Sequence, residues 1–119
     1  MKYLRFLLLV TLCSACHQQS PTASSLRGSL DAANAITSTA SRDDALAKLA
    51  ADAAEAKDLE VTKQALGGIT STDTKDKAAE AAALALAKQG ETKSATEVAQ
   101  VITVTSVRDR TLGAVAKGR

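Results

Sequence analysis

Beyond residue 21 this sequence has no cysteine, no histidine, no proline and no aromatic ring. Each absence removes a class of explanation. Without cysteine the region cannot close a disulfide, although an oxidising compartment would allow one. Without histidine or cysteine it has no thiol nucleophile, no base to activate a serine, and no soft ligand set for a metal. The single histidine, His17, has no second one to complete a site and reads as a spacer. No glycine-rich phosphate cradle is present. Catalysis, a metal and a cofactor are therefore not expected. A core without rings must be built from Ala, Leu, Val and Ile, and such small side chains fill space only where backbones approach closely.

Charge of one sign is lacking as well. The formal net charge is +2, and setting aside Lys2 and Arg5 leaves 13 basic residues against 13 acidic ones. Interspersed signs offer no basic stripe, so nucleic acid is not an expected partner. What is abundant is alanine, accompanied by leucine, lysine, glutamate and glutamine, all strong helix formers. The composition predicts an all-α fold in a single domain.

The first residues, MKYLRFLLLVTLCSAC, run from basic Lys2 and Arg5 through an apolar stretch to small Ser14 and Ala15. That is the three-part layout of an export signal, and its apolar run is far shorter than the roughly 20 residues that span a bilayer. The stretch resembles a bacterial lipoprotein signal, in which a cysteine after small residues becomes the lipidated first residue of the mature protein. The resemblance makes residues 1–15 the signal peptide and Cys16 the site of acylation, for example by palmitate. It departs from the family three places before Cys16, where Cys13 stands instead of the usual leucine. Plain secretion after Ala15 is the other reading. His17 in place of an aspartate points, by the same resemblance, to the outer membrane, facing the periplasm. Residues 16–25 read as a lipid-anchored tether, because QQSPTASS holds the only proline and four small hydroxyl residues and cannot bury apolar surface.

ITSTASRDD, ITSTDTKDK and ITVTSVRDR begin at Ile36, Ile69 and Ile102, each 33 residues after the one before. The same offset relates Asp43, Asp76 and Asp109, and likewise Ala50, Ala83 and Ala116. Fixed self-similarity of this period is the signature of stacked helical repeats. Apolar residues recurring at three- and four-residue steps predict helices over residues 26–36, 42–56 and 59–66, and a fourth, carrying Ala79, Ala82, Ala83 and Leu86, that ends at Gln89 and Gly90. A fifth presents Ala95, Val98, Ala99 and Ile102, and the sixth covers residues 108–117. The repeat domain, residues 26–117, divides into a half unit 26–41, units 42–74 and 75–107, and a half unit 108–117. Ser41 with Asp44, Asp73 with Asp76, and Ser106 with Asp109 have the spacing of capping boxes, which would open the first helix of each unit at these residues. The Gly67-Gly68 pair predicts early termination or fraying of the third helix.

The unit resembles a tetratricopeptide repeat, most clearly at KQGETKSATEVAQVI, where a glycine turn, small Ala95 and closing apolar residues have family-like spacing. Ala50 and Ala83 take the small position of the first helix, and Thr62 and Ala95 that of the second. The large aromatic positions hold Leu or Ala and no proline closes the unit. HEAT-like pairs are the nearest alternative; an ankyrin repeat lacks its Thr-Pro-Leu-His signature here. The resemblance implies antiparallel helical hairpins stacked as a short right-handed solenoid of about six helices. It also implies a concave groove lined by Asp44, Ala47, Ala51 and Glu55, by Lys77, Glu80, Leu84 and Lys88, and by Arg110 and Lys117. Lys77 and Arg110 would lie one above the other and clamp a carboxylate or an extended peptide.

These expectations describe an envelope lipoprotein whose helical-repeat domain binds another protein or peptide, and whose end helices expose apolar surface for self-association. The alternatives are a murein-lipoprotein-like tether and a small exported immunity, exclusion or lysis protein. In the repeats, Ile36, Ile69 and Ile102 close one hairpin while Asp43, Asp76 and Asp109 open the next helix, so these six residues mark the joints.

Overall fold

The computed structural model describes residues 22–118. Cys16, His17, the signal segment and most of the tether lie outside the described residues. Six α-helices follow one another: α1 (Ala23–Asn34), α2 (Thr39–Glu55), α3 (Leu59–Gly68), α4 (Thr72–Lys88), α5 (Thr92–Ala99) and α6 (Thr105–Ala116). The described residues contain no strand. None of these helices is long and apolar enough to cross a membrane.

Across short connections α2 packs on α3 and α4 on α5, while α2, α4 and α6 pack on one another in succession. The periodic apolar positions are buried: Leu46, Leu49, Ala50 and Ala53 on α2, and Ala79, Ala82, Ala83 and Leu86 on α4, with Ala95, Val98 and Ala99 on α5 followed by Ile102. Leu46, Leu66, Leu86 and Ile102 are the largest fully buried side chains, and burying one of this size contributes about 1.5–3 kcal/mol. The remaining core is mostly alanine, which stabilises by letting helices approach rather than by area per residue.

Three helix starts differ from expectation. α2, α4 and α6 begin three residues before Arg42, Lys75 and Arg108, and their N-caps are Ser38, Ser71 and Val104. All three N-cap residues are extended, with ψ of 119°, 119° and 111°. Ser71 accepts a hydrogen bond from the Thr74 amide at 3.3 Å. Ser41, Asp73 and Ser106, expected as caps, therefore lie inside helices. Of the three N-cap residues only Ser71 makes a side-chain cap bond, so two of these helices start without one. α1 also starts early, so Ala23, Ser24 and Ser25 are helical rather than tether.

Gly67 and Gly68 do not end α3, which runs through both. A Cβ on Gly68 would stand 2.8 Å from Leu46 Cδ1, so this glycine lets α3 close onto α2, and that packing outweighs its poor helix propensity. At the far end of α2, Lys57 has φ 60°, and at the equivalent place after α4, Gly90 has φ 80°. In both, two crossed amide bonds close the helix: Lys57 to Ala54 O and Asp58 to Ala53 O, then Gly90 to Ala87 O and Glu91 to Leu86 O.

Candidate functional site

The repeated aspartates are not capping their own helices. Asp43 and Asp76 are the fifth residues of α2 and α4, and both are buried. Asp43 accepts from the Thr70 amide at 3.1 Å, the Thr70 hydroxyl at 2.8 Å and the Ser71 amide at 2.8 Å. Asp76 accepts from the amides of Thr103 and Val104, both at 2.9 Å. Each carboxylate thus sits at the N-terminal end of the next helix in the series, where orphan amides and the helix dipole favour negative charge. The Thr70 amide, then the Ser71 amide, hold the Asp43 carboxyl below its ordinary value against the opposing effect of burial. For Asp76, burial pushes the carboxyl up, but the Thr103 and Val104 amides outweigh it and the net shift is downward. The expectation that Asp43 and Asp76 open their own helices is corrected: they fasten the following joint.

Ile69 and Ile102 are buried beside these joints, whereas Ile36 is only partly covered. Asp109 is exposed and, among the described residues, receives no hydrogen bond. Holding the joints in this way lines up α2, α4 and α6 and creates two clefts between them.

The first cleft, of about 540 Å³, lies between α2 and α4. It brings together Ala51, Glu55, Leu84 and Lys88 of the expected groove, over a floor completed by Ala81 and Ala85. Gln89 closes one end, donating through Nε2 to Ala54 O at 3.0 Å and Ala85 O at 3.2 Å. The second cleft, of about 430 Å³, lies between α4 and α6 and gathers Lys77, Glu80 and Arg110. Val104 and Val107 supply its apolar wall, and Val104 is 49% exposed. Asp44 and Lys117 are exposed and line neither of these two clefts.

Lys77 and Arg110 each already hold a carboxylate within the chain. Lys77 Nζ is 2.7 Å from Asp73, and Arg110 Nη2 is 2.8 Å from Glu80. Both pairs are largely solvated, so each holds its geometry by only about 0–1 kcal/mol and can exchange for an incoming carboxylate. Asp73 was expected as a cap and Gln89 as a helix end, neither as a groove residue, and Val104 and Val107 did not stand out in the sequence. Asp73 and Lys77 do carry the four-residue helical spacing, but Gln89, Val104 and Val107 become neighbours of the groove only through packing.

The arrangement presents apolar floors edged by charges of both signs. No group of three or more His, Cys, Asp or Glu side chains among the described residues is placed to hold a metal ion. No protein-family model matches this chain, and neither a curated protein nor a solved structure matches it.

Proposed function

We propose that this chain is an envelope lipoprotein, anchored through Cys16 to the outer membrane on its periplasmic side, whose helical domain binds another protein or peptide. In this reading the pairs α2–α3 and α4–α5 are tetratricopeptide-like hairpins in a short right-handed solenoid, with α1 and α6 as half units. The observation that carries the proposal is the pair of adjoining clefts between α2, α4 and α6, apolar below and charged at the rim. A peptide with apolar anchors and flanking charges suits such a surface: the anchors supply burial, and the rim charges set register and on-rate. A murein-lipoprotein-like tether has less support, because it calls for one continuous helix and the longest helices among the described residues have 17 residues.

The test is capture of partners by the full-length chain from crosslinked envelopes, compared with a Lys77→Glu, Arg110→Glu double variant. Loss of a captured protein on charge reversal is the expected result; an identical set from both would overturn the groove. The anchor has its own test. Metabolic labelling with an acyl chain should mark the wild type and not Cys16→Ser, and an unlabelled wild type would remove the lipoprotein reading.

A further inference from the structure

The two ends of the described region are complementary halves of the internal repeat interface. At each internal interface an aspartate on one helix accepts the amides that begin the next helix of the series, 27 and 28 residues on. In register, the third aspartate is Asp109, which is exposed. The joint that lacks a carboxylate is the first, because the position 33 residues before Asp43 is Val10. The amides of Thr37 and Ser38 in that joint have no partner among the described residues, and the N-cap Ser38 makes no side-chain cap bond. One end therefore offers an unused acceptor and the other an unused pair of donors.

The apolar surfaces follow the same division. A cleft of about 400 Å³ opens beside α1 and α2, where Ser29 and Ala32 are exposed and Ile36 and Ala45 only partly covered. Their equivalents one unit later, Thr62, Ala65, Ile69 and Ala78, are all buried. At the opposite end Leu112 on α6 is only partly covered, while its equivalents Leu46 and Ala79 are fully buried. What covers these positions inside the chain is the neighbouring unit, so a neighbour of the same shape covers them at the ends.

We infer that the protein assembles head to tail with a second copy, Asp109 of one molecule accepting from the Thr37 and Ser38 amides of the next, while α6 fills the cleft beside α1 and α2. Three repeat lengths separate equivalent positions in the two copies, so α6 and the second copy's α1 complete a full unit. The contact is heterologous, and its repetition gives open chains of molecules unless the rotation closes a ring. This inference does not depend on the groove or on the lipid anchor.

Charge gives it an independent handle. Glu80 and Arg110, 30 residues apart, pair across the α4–α6 contact. The same step from Gly113 reaches Asp44 of the second copy. A Cβ at Gly113 would meet nothing within 4 Å, and the position is exposed, so a residue of either charge can be introduced there.

Sedimentation velocity and light scattering of the full-length chain in detergent, across a wide concentration range, provide the test. Wild type should show reversible, concentration-dependent growth beyond the monomer. Asp109→Lys should raise the dissociation constant about tenfold or more, the worth of a charged acceptor, with an unchanged thermal melt because the residue is exposed. Gly113→Lys should associate more tightly than Gly113→Glu, by about threefold. A wild type monomeric throughout, or self-association indifferent to Asp109→Lys and to the sign at position 113, would overturn the inference.

Discussion

Asp43 and Asp76 occupy the same helical position 33 residues apart, yet the joints they hold are built differently. The first joint gives its carboxylate two amides and the Thr70 hydroxyl, and the N-cap Ser71 also accepts from Thr74. In the second, Val104 stands where Ser71 stood, no side-chain cap bond forms, and the carboxylate keeps its two amides. The comparison separates what a joint requires from what it tolerates. Amides come from any residue, so the joint side chains change freely between copies. The acceptor has to be short, charged and rigidly placed on a packed helix, and there the aspartate persists.

The sharpest way to break this comparison is to remove the carboxylates one at a time. Asp43→Ala should give the largest fall in thermal stability, since it leaves three donors without their acceptor. Asp76→Ala should cost about 1–3 kcal/mol, the penalty of stranding amides that water only partly satisfies. Asp109→Ala should leave the melting of dilute monomer unchanged. Circular-dichroism melts of the three variants decide the order, and equal losses at Asp43 and Asp109 would erase the distinction between held and open joints.

Acid should reveal the same two groups. Both folded carboxyls titrate below the ordinary value of 3.8. The stability they contribute is therefore fully present above about pH 4 and is lost as pH falls through the folded values. Replacing both by asparagine should flatten the dependence of unfolding free energy on pH below about pH 4, measured by urea titration. A slope unchanged from wild type would assign the acid sensitivity to other carboxylates.

A smaller change than at Asp43 is expected at the opposite end of the unit, where Lys57 and Gly90 hold the same left-handed turn. Lys57→Gly should gain about 0.5–1 kcal/mol, the relieved Cβ strain less the backbone entropy of glycine, offset in part by losing the exposed ion pair with Glu91 at 3.4 Å. Gly90→Ala should lose about 1 kcal/mol for the same reason. Chemical denaturation of both variants measures the two signs.

Much of the fold was legible in advance because it is written locally. The residues at three- and four-residue steps, from Leu46 to Ile102, are the buried ones, and the period of 33 places equivalent helices in equivalent surroundings. The candidate groove was legible in pieces. Glu55, Leu84 and Lys88 meet in one cleft and Lys77, Glu80 and Arg110 in another, but the Arg110–Glu80 pairing joins residues 30 apart that no helical period connects. The misplaced helix starts have a related origin. Asp73 three residues before Asp76 looks the same whether the second carboxylate returns to its own helix end or reaches across to another. Gly68 likewise looks like a breaker until Leu46 is seen against it.

Sequence alone settled the number of helices, their apolar faces and the interval at which the pattern returns, because backbone propensity and side-chain periodicity are properties of a single segment. Tertiary structure decided where each helix begins, that two aspartates serve the start of a helix two further along the chain, and that Lys57 turns left-handed. Those outcomes depend on which amides and side chains a neighbouring unit brings within reach, and that neighbour is folded from residues far along the chain.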